Sequence, residues 1–189
     1  MITAAAAIEI VEAFDPGPDG LARKSRELVL GLLRESPAPF SRDQFEPGHI
    51  TCTALVFHPS QPLVFSGALV LMMHHHRLHR WLLPGGHVEL VDPSLSAAAA
   101  REAVEETAVL LEPSFTPMLV GIDVHGIPAK KDEPYHLHHD LIWRLPAASE
   151  QIAVTDEAPQ VMWASDNDFD RLQIADSIRN AVRRAGNLP

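Results

Sequence analysis

The spacing of apolar residues predicts two helices at the start of the chain, from Ala4 to Phe14 and from Asp19 to Glu35. A proline-containing segment then breaks the helical pattern, because proline lacks an amide donor. We therefore predict an N-terminal helical extension over residues 1–36 and a main domain over residues 37–189. The sequence leaves three roles open for the extension: a homodimer interface, a cover over a pocket, or a part of the core.

Shorter apolar and β-branched runs predict strands on both sides of one central helix. The predicted strands are His49–His58 and Leu63–Met73, which form a hairpin, and then Trp81–Leu83, Met118–Ile127, His136–Leu145 and Val161–Ala164. Helices are predicted from about Pro93 to Thr107, with Asp92 as the cap, and from Asn167 to Ala185. This order predicts an α/β or α+β fold.

Composition and charge restrict the class of partner. The chain is 46% hydrophobic and 21% charged, and no apolar run approaches the roughly 18 residues of a membrane span, so we expect a protein without a membrane partner. A net charge of −10 argues against binding a nucleic acid polymer. One cysteine and the lack of a basic secretory start lead us to expect a cytoplasmic location.

Three carboxylates share one face of the predicted central helix. Glu102, Glu105 and Glu106 stand at i, i+3 and i+4, so they could bind one cation, although a solvated acidic face would give the same spacing. Just before the helix, Gly85 and Gly86 allow a sharp turn that brings backbone amides close to a ligand.

The segment Gly86-His87-Val88-Glu89-Leu90-Val91-Asp92, followed by Arg101-Glu102-Ala103-Val104-Glu105-Glu106-Thr107-Ala108-Val109, resembles the Nudix box G-x5-E-x7-R-E-U-x-E-E-x-G-U, where U is aliphatic. The chain departs from the box at three points. Asp92 replaces its first glutamate, one extra residue precedes Arg101, and Ala108 replaces its second glycine. All three metal-binding carboxylates of the box are retained.

The resemblance implies a mixed β-sheet sandwiched between helices and a pyrophosphohydrolase that requires Mg²⁺ or Mn²⁺. It implies that Glu102, Glu105 and Glu106 bind the metal and that Arg101 orients them. A glutamate of this helix, Glu102 or Glu105, or Glu157 in a later loop, would take the proton from the attacking water. The implied substrate is a nucleoside diphosphate linked to another group, as in ADP-ribose or a sugar nucleotide.

Further polar residues are candidates for substrate contact. His136, His138 and Asp140 alternate along one predicted strand, and Asp123 and His125 do so on the strand before it, so the two sets could converge. They could bind phosphate or ribose, bind Zn²⁺, or form a polar surface. Gly85, Gly86 and Arg80, which precede the helix, are the other predicted substrate-binding residues.

Two other functions remain open at this point. The first is a Nudix-like nucleotide-binding or regulatory domain without catalysis, against which the three retained glutamates argue. The second is an isomerase of isopentenyl diphosphate, which would need a placed catalytic cysteine. Cys52 lies between two threonines in a predicted strand, and we predict that it is buried and inert.

Overall fold

The computed structural model describes residues 2–60, 67–130, 133–156 and 158–186. In this part of the chain the helices are α1 (Ala4–Ala13), α2 (Gly20–Glu35), α3 (Leu95–Thr107) and α4 (Asp176–Gly186). The strands are β1 (Gly48–Phe57), β2 (Val70–His75), β3 (Arg80–Leu82), β4 (Gly85–His87), β5 (Met118–Ile127), β6 (His136–Pro146) and β7 (Gln160–Ala164). None of the described helices is both long and apolar enough to span a bilayer.

The strands form one mixed sheet in which the order of the main path is β3-β2-β1-β6-β5. β1 and β6 lie at its centre and pair in parallel along the whole of β1, from Gly48 opposite Leu137 to Phe57 opposite Pro146. The other pairs are antiparallel: β4 pairs with β1, and β7 pairs with β2. β4 therefore lies beside the strand at the centre of the sheet.

Helices cover both faces of this sheet. On one face, Cys52 and Leu141 of the central strands share a buried cluster with residues of α1, α2 and α3. On the other face, Leu55 and Ile142 pack in a second cluster with α4. The predicted mixed sheet between helices is confirmed. The N-terminal helices complete the first core, because Val11 and Val29 are fully buried in it, while the domain boundary at residue 36 stays a prediction.

Side-chain caps explain where the helices begin. Thr3 accepts a hydrogen bond from the Ala6 amide, and Asp19 accepts hydrogen bonds from the amides of Leu21 and Ala22, as expected for N-cap residues. The prediction that Asp92 caps the central helix was wrong. Ser94 is the cap of α3, and its hydroxyl accepts from the Ala97 amide, because the carboxylate of Asp92 binds other groups.

Two further predictions of local structure need correction. The closing helix does not run from Asn167: a short 3₁₀ turn at Asp166–Asp168 and a left-handed residue, Gln173 with φ 54°, precede α4. Among the described residues, β1 and β2 pair only at Phe57 and Val70, because β4 occupies the same edge of β1 further along. The start of the second predicted strand, at residues 63–66, lies outside the described residues.

Candidate metal and substrate site

The three box glutamates project from the last two turns of α3 and differ in exposure. The side chain of Glu105 is 58% exposed and that of Glu102 15%, while Glu106 is buried. Glu106 Oε2 accepts a hydrogen bond from the Gly85 amide at 2.8 Å, which joins the helix to β4. The site therefore combines one accessible carboxylate with two that the fold holds in place.

Arg101 connects the carboxylates on the outer side of α3. Its Nη1 donates to Glu102 Oε1 at 3.0 Å and to Glu105 Oε2 at 2.9 Å. Its Nη2 donates to the His87 carbonyl at 2.8 Å. Hydrogen bonds to Asp92, with smaller contributions from Glu102 and Glu105, raise the pKa of the guanidinium further above its already high value. Arg101 is thus a permanent cation that orients both glutamates.

Asp92 fixes the position of Arg101. Its Oδ1 accepts from Arg101 Nε at 3.0 Å, and its Oδ2 accepts from Arg101 Nη2 at 3.1 Å, so the pair is bidentate. Oδ2 also accepts from the Glu89 amide at 2.8 Å. Burial alone would raise the pKa of Asp92, but these hydrogen bonds outweigh it and lower the pKa below 3.8. The aspartate that replaces the box glutamate therefore supports the site through the arginine.

The two glycines of β4 are needed for different contacts. A Cβ on Gly86 would lie 2.6 to 2.8 Å from the carboxylate of Glu102, so the absent side chain leaves room for that group against the backbone. A Cβ on Gly85 would lie 2.7 Å from Thr53 Cα and 2.8 Å from the Cys52 carbonyl oxygen. Gly86 therefore accommodates the acid of the site, and Gly85 accommodates the neighbouring strand.

Asp140 lies in the central part of the sheet rather than in open solvent. Its Oδ1 accepts from both threonine hydroxyls, Thr51 and Thr53, at 2.9 Å each. Burial raises its pKa, and the nearby His125 and the threonine hydrogen bonds only partly oppose this. These contacts join β6 to β1, and a role of Asp140 in substrate binding stays a prediction.

The histidines of β6 converge with histidines from other strands. His138 is paired with His125 of β5, as the sequence predicts, and their ring centroids are 5.7 Å apart. The rings of His49 and His87 also approach His138, with centroids at 4.9 and 5.4 Å. Burial and the neighbouring imidazoles lower the pKa of His87 to about 4 and lower that of His138 strongly. Both rings are therefore neutral at neutral pH.

Sequence reasoning missed His49 and gave His87 no role beyond its place in the box. The two residues are 38 positions apart, and only the pairing of β1 with both β4 and β6 brings them to His138. His136 is buried, and its Nδ1 lies 2.8 Å from the Pro134 carbonyl oxygen. Its predicted contact with substrate stays a prediction.

Arg80 lies on β3, the strand at one end of the main path of the sheet. Arg80 is exposed at the start of β3, opposite His75, and its role in substrate binding stays a prediction. Glu157 lies outside the described residues. Cys52 is buried as predicted, and burial raises the pKa of its thiol well above the ordinary value, so the thiolate of an isomerase is disfavoured.

A mixed sheet between helices, with a glycine pair that leads into a glutamate-bearing helix, defines a class of α/β protein with an acidic site on one helix. A family model described as NUDIX domain matches residues 53–185, which is most of the chain. The chain therefore belongs to the Nudix hydrolase family, and the enzyme class predicted from the box is confirmed at the level of the family.

Solved structures show the same fold at low sequence identity. The NUDIX domain of Shewanella oneidensis NrtR, solved with ADP ribose, is 19% identical, with a TM-score of 0.54 over 80% of this chain and 95% of that one. The mutator MutT protein of Bacillus halodurans is 18% identical, with a TM-score of 0.52 over 74% of this chain and 82% of that one. No curated protein matches the sequence significantly.

Proposed function

We propose that this protein is a metal-dependent pyrophosphohydrolase that cleaves a phosphoanhydride bond in a nucleoside diphosphate linked to another group. The observation that carries the proposal is the fixed geometry of the acidic face of α3. Arg101 holds Glu102 and Glu105, and the Gly85 amide holds Glu106. An acidic face that was merely solvated would not need these contacts to backbone and arginine.

The carboxylates fit a hard divalent cation such as Mg²⁺ or Mn²⁺. Such ions prefer oxygen ligands, and Glu102, Glu105 and Glu106 offer six carboxylate oxygens on neighbouring turns. The close approach of Glu102 to Gly86 leaves its carboxylate beside the backbone of β4. When bound, the metal would supply charge stabilisation on the phosphate and lower the pKa of a water.

Residues of the chain would accept the proton of the attacking water and keep the carboxylates in position. Water attacks one phosphorus, the bridging phosphorus–oxygen bond breaks, and the phosphate-containing leaving group takes the electron pair. Glu105 is the most exposed of the three glutamates and is available to accept the proton of the water. Arg101 keeps Glu105 and Glu102 in position and offsets part of the negative charge around an anionic substrate.

The substrate class follows from the need for phosphates beside the metal and a further group beyond them. We propose that Gly85, Gly86 and Arg80 contact the part of the substrate beyond its phosphates. His136, His138 and Asp140 lie on the other face of the sheet from Glu102, so their contact with the same substrate stays a prediction. ADP ribose in the NUDIX domain of Shewanella oneidensis NrtR is a ligand of this type bound to this fold, which supports ADP-ribose and sugar nucleotides as the first substrates to test.

The test is hydrolysis of a panel of nucleoside diphosphate derivatives with Mg²⁺ or Mn²⁺. Product masses identify the bond that is cleaved. Glu105→Gln and Glu106→Gln should each reduce turnover by roughly 100-fold or more, as expected when a metal ligand or base is lost. Glu112→Gln is the matched control, because Glu112 lies beyond α3 and its carboxylate accepts hydrogen bonds from the amide and hydroxyl of Ser114.

Metal-dependent turnover that both box variants lose and the control retains would support the proposal. Absence of turnover on the whole panel, with nucleotide binding unchanged in both variants, would overturn it. That outcome would identify a binding or regulatory domain of the same family.

A further inference from the structure

We propose that His49, His87 and His138 form a second metal site, which takes a transition ion of the Zn²⁺ class and is distinct from the glutamate site of α3. One ring nitrogen of each residue lies within 4.8 Å of the other two. The three residues come from β1, β4 and β6, so one ion would bridge three adjacent strands.

The distances suit a site that closes on its ion. A Zn²⁺–nitrogen bond is about 2.0 to 2.1 Å, so tetrahedral coordination separates two ligand nitrogens by about 3.4 Å. The three nitrogens already lie within 4.8 Å, so rotations of the side chains suffice to bring them together. His87 and His138 are only partly buried, which leaves their rings room to rotate.

His49 has one ring nitrogen that is bound and one that is unpaired among the described residues. Its Nδ1 lies 3.1 Å from the Gln44 carbonyl oxygen, to which it can donate. Its Nε2 is buried and has no hydrogen-bond partner among the described residues. A histidine that donates one ring nitrogen to a carbonyl and offers the other to a metal is the usual arrangement of a metal ligand. An ion would therefore satisfy a polar atom that the described part of the fold leaves unpaired.

The strand register separates this site from the glutamates. Gly86, which contacts Glu102, is opposite Cys52 and so lies on the face that α3 covers. His87 follows Gly86 and is opposite Thr51, so it lies on the other face. The two sites also differ in chemistry, because imidazole nitrogens favour Zn²⁺ and carboxylates favour Mg²⁺.

Neighbouring histidines do not complete the ligand set. Among the described residues, only His49, His87 and His138 bring ring nitrogens within 4.8 Å of one another, and His125 and His136 lie outside that group. The proposed site therefore has three protein ligands, which leaves a fourth position for water or an anion, as in Zn²⁺ sites with three imidazoles.

The experiment is titration of the metal-free, untagged protein with Co²⁺, followed by displacement with Zn²⁺. Tetrahedral Co²⁺ gives strong visible absorption bands that an oxygen-bound octahedral ion lacks. We expect one such Co²⁺ per chain. His138→Gln and His87→Gln should each weaken binding by roughly 100-fold or more, since even the loss of an outer-shell partner weakens a metal site 10- to 100-fold.

Two further variants serve as controls and should still bind Co²⁺. His125→Gln changes an imidazole next to His138 but outside the triad and should leave binding unchanged, and so should Glu105→Gln in the other site. Both triad variants retain the histidines at residues 74–76, so lost binding cannot come from that segment. Circular dichroism of each metal-free variant checks folding, and the two triad substitutions provide independent tests.

Tetrahedral Co²⁺ that both triad variants lose and both controls keep supports the site. Absence of tetrahedral bands in the native protein overturns it. Equal loss in His125→Gln, or loss in Glu105→Gln with retention in His138→Gln, also overturns it. None of these outcomes depends on hydrolysis, so the test stands apart from the proposed function.

Discussion

At the scale of single residues, Ala108 shows how the chain accommodates its departure from the box. It ends α3 in the left-handed region, with φ 52° and ψ 21°, where the box has a glycine. Its amide still donates to the Val104 carbonyl at 2.9 Å, so the helix end keeps a glycine-type geometry without glycine. The chain path after the helix is therefore retained at the expense of local backbone strain.

Ala108→Gly should stabilise the protein by about 0.5 to 1 kcal/mol. Glycine removes the steric strain of a left-handed alanine, and its greater freedom in the unfolded chain offsets only part of that gain. Ala108 is exposed, so the change removes little packing. Urea unfolding measures the free energy of unfolding.

The same substitution inside the helix provides the control. Ala100→Gly should destabilise the protein by about 1 kcal/mol, because glycine is a poor helix former. Equal destabilisation by both glycines would contradict the proposed strain at Ala108.

The contacts of a side chain could be predicted where the contacting residues are close together in the sequence. The three glutamates and Arg101 share one helix, so spacing alone predicted that they lie together. The role of Asp92 was harder to predict, because an aspartate before a proline is also a good helix cap. In the structure Asp92 binds Arg101, and a serine two residues later caps the helix.

At the scale of elements, β4 is three residues long and contacts both a helix and the central strand. Its two glycines allow the contacts to be tested separately. Gly86 faces the movable end of a glutamate side chain, whereas Gly85 faces backbone atoms that cannot move without disturbing β1.

Gly86→Ala should lower turnover by roughly 100-fold, because a displacement of Glu102 by about 1 Å misplaces one of the proposed metal ligands. The free energy of unfolding of the Gly86→Ala variant should change by less than about 1 kcal/mol, because the carboxylate of Glu102 can move away from the added methyl group. Gly85→Ala is the matched variant and should destabilise the protein by roughly 1 to 3 kcal/mol through overpacking against β1.

Kinetic assays and urea unfolding of the two variants separate the effects. A large loss of stability in Gly86→Ala, with unchanged turnover in the folded protein, would contradict the assigned contact. The comparison requires only one substrate that the native protein hydrolyses.

Elements with a strong local signal were predicted well, and those fixed by distant contacts were not. The bounds of α2 agree with its apolar spacing to within one residue at its start. The predicted hairpin is limited to one residue pair among the described residues, because β1 pairs with β6 and β4, and β2 pairs with β7. The cluster of His49, His87 and His138 needs the same distant pairings, so the sequence could not reveal it.

At the scale of the whole molecule, Arg184 ties the last helix to the first two. It donates to the Val120 and Pro16 carbonyls and to Asp19 Oδ2 at 3.2 Å, and its guanidinium lies 4.9 Å from the centroid of the Phe14 ring. These groups belong to β5 and to the connection between α1 and α2. One partly buried cation therefore fastens the N-terminal helices to the rest of the fold.

Arg184→Ala should destabilise the protein by roughly 2 to 3 kcal/mol, because several hydrogen bonds to a charged group are lost. Burial alone would raise the pKa of Asp19, but the Ala22 amide and Arg184 outweigh it and lower the pKa below 3.8. The unfolded chain therefore binds more protons near that pH, so this stabilisation is present above pH 3.8 and is lost below it.

Urea unfolding from pH 7 to pH 3 tests this expectation. The difference in stability between the native protein and Arg184→Ala should narrow as the pH falls below about 3.8. Arg183→Ala is the control, because Arg183 is exposed and donates to Asn180, so its loss should change stability by less than about 0.5 kcal/mol. Equal effects of the two variants would contradict the role of Arg184.

The parallel pairing of β1 with β6 also determines when the sheet can form. Residues 48–57 find their partners at residues 137–146, so the central ladder cannot close until about 90 further residues have been synthesised. Contacts this distant in sequence slow folding, because the chain loses entropy in closing the loop before any strand contact forms. During translation the apolar strand β1 therefore stays unpaired with β6 over this interval, and an unpaired apolar strand favours aggregation of the newly made chain.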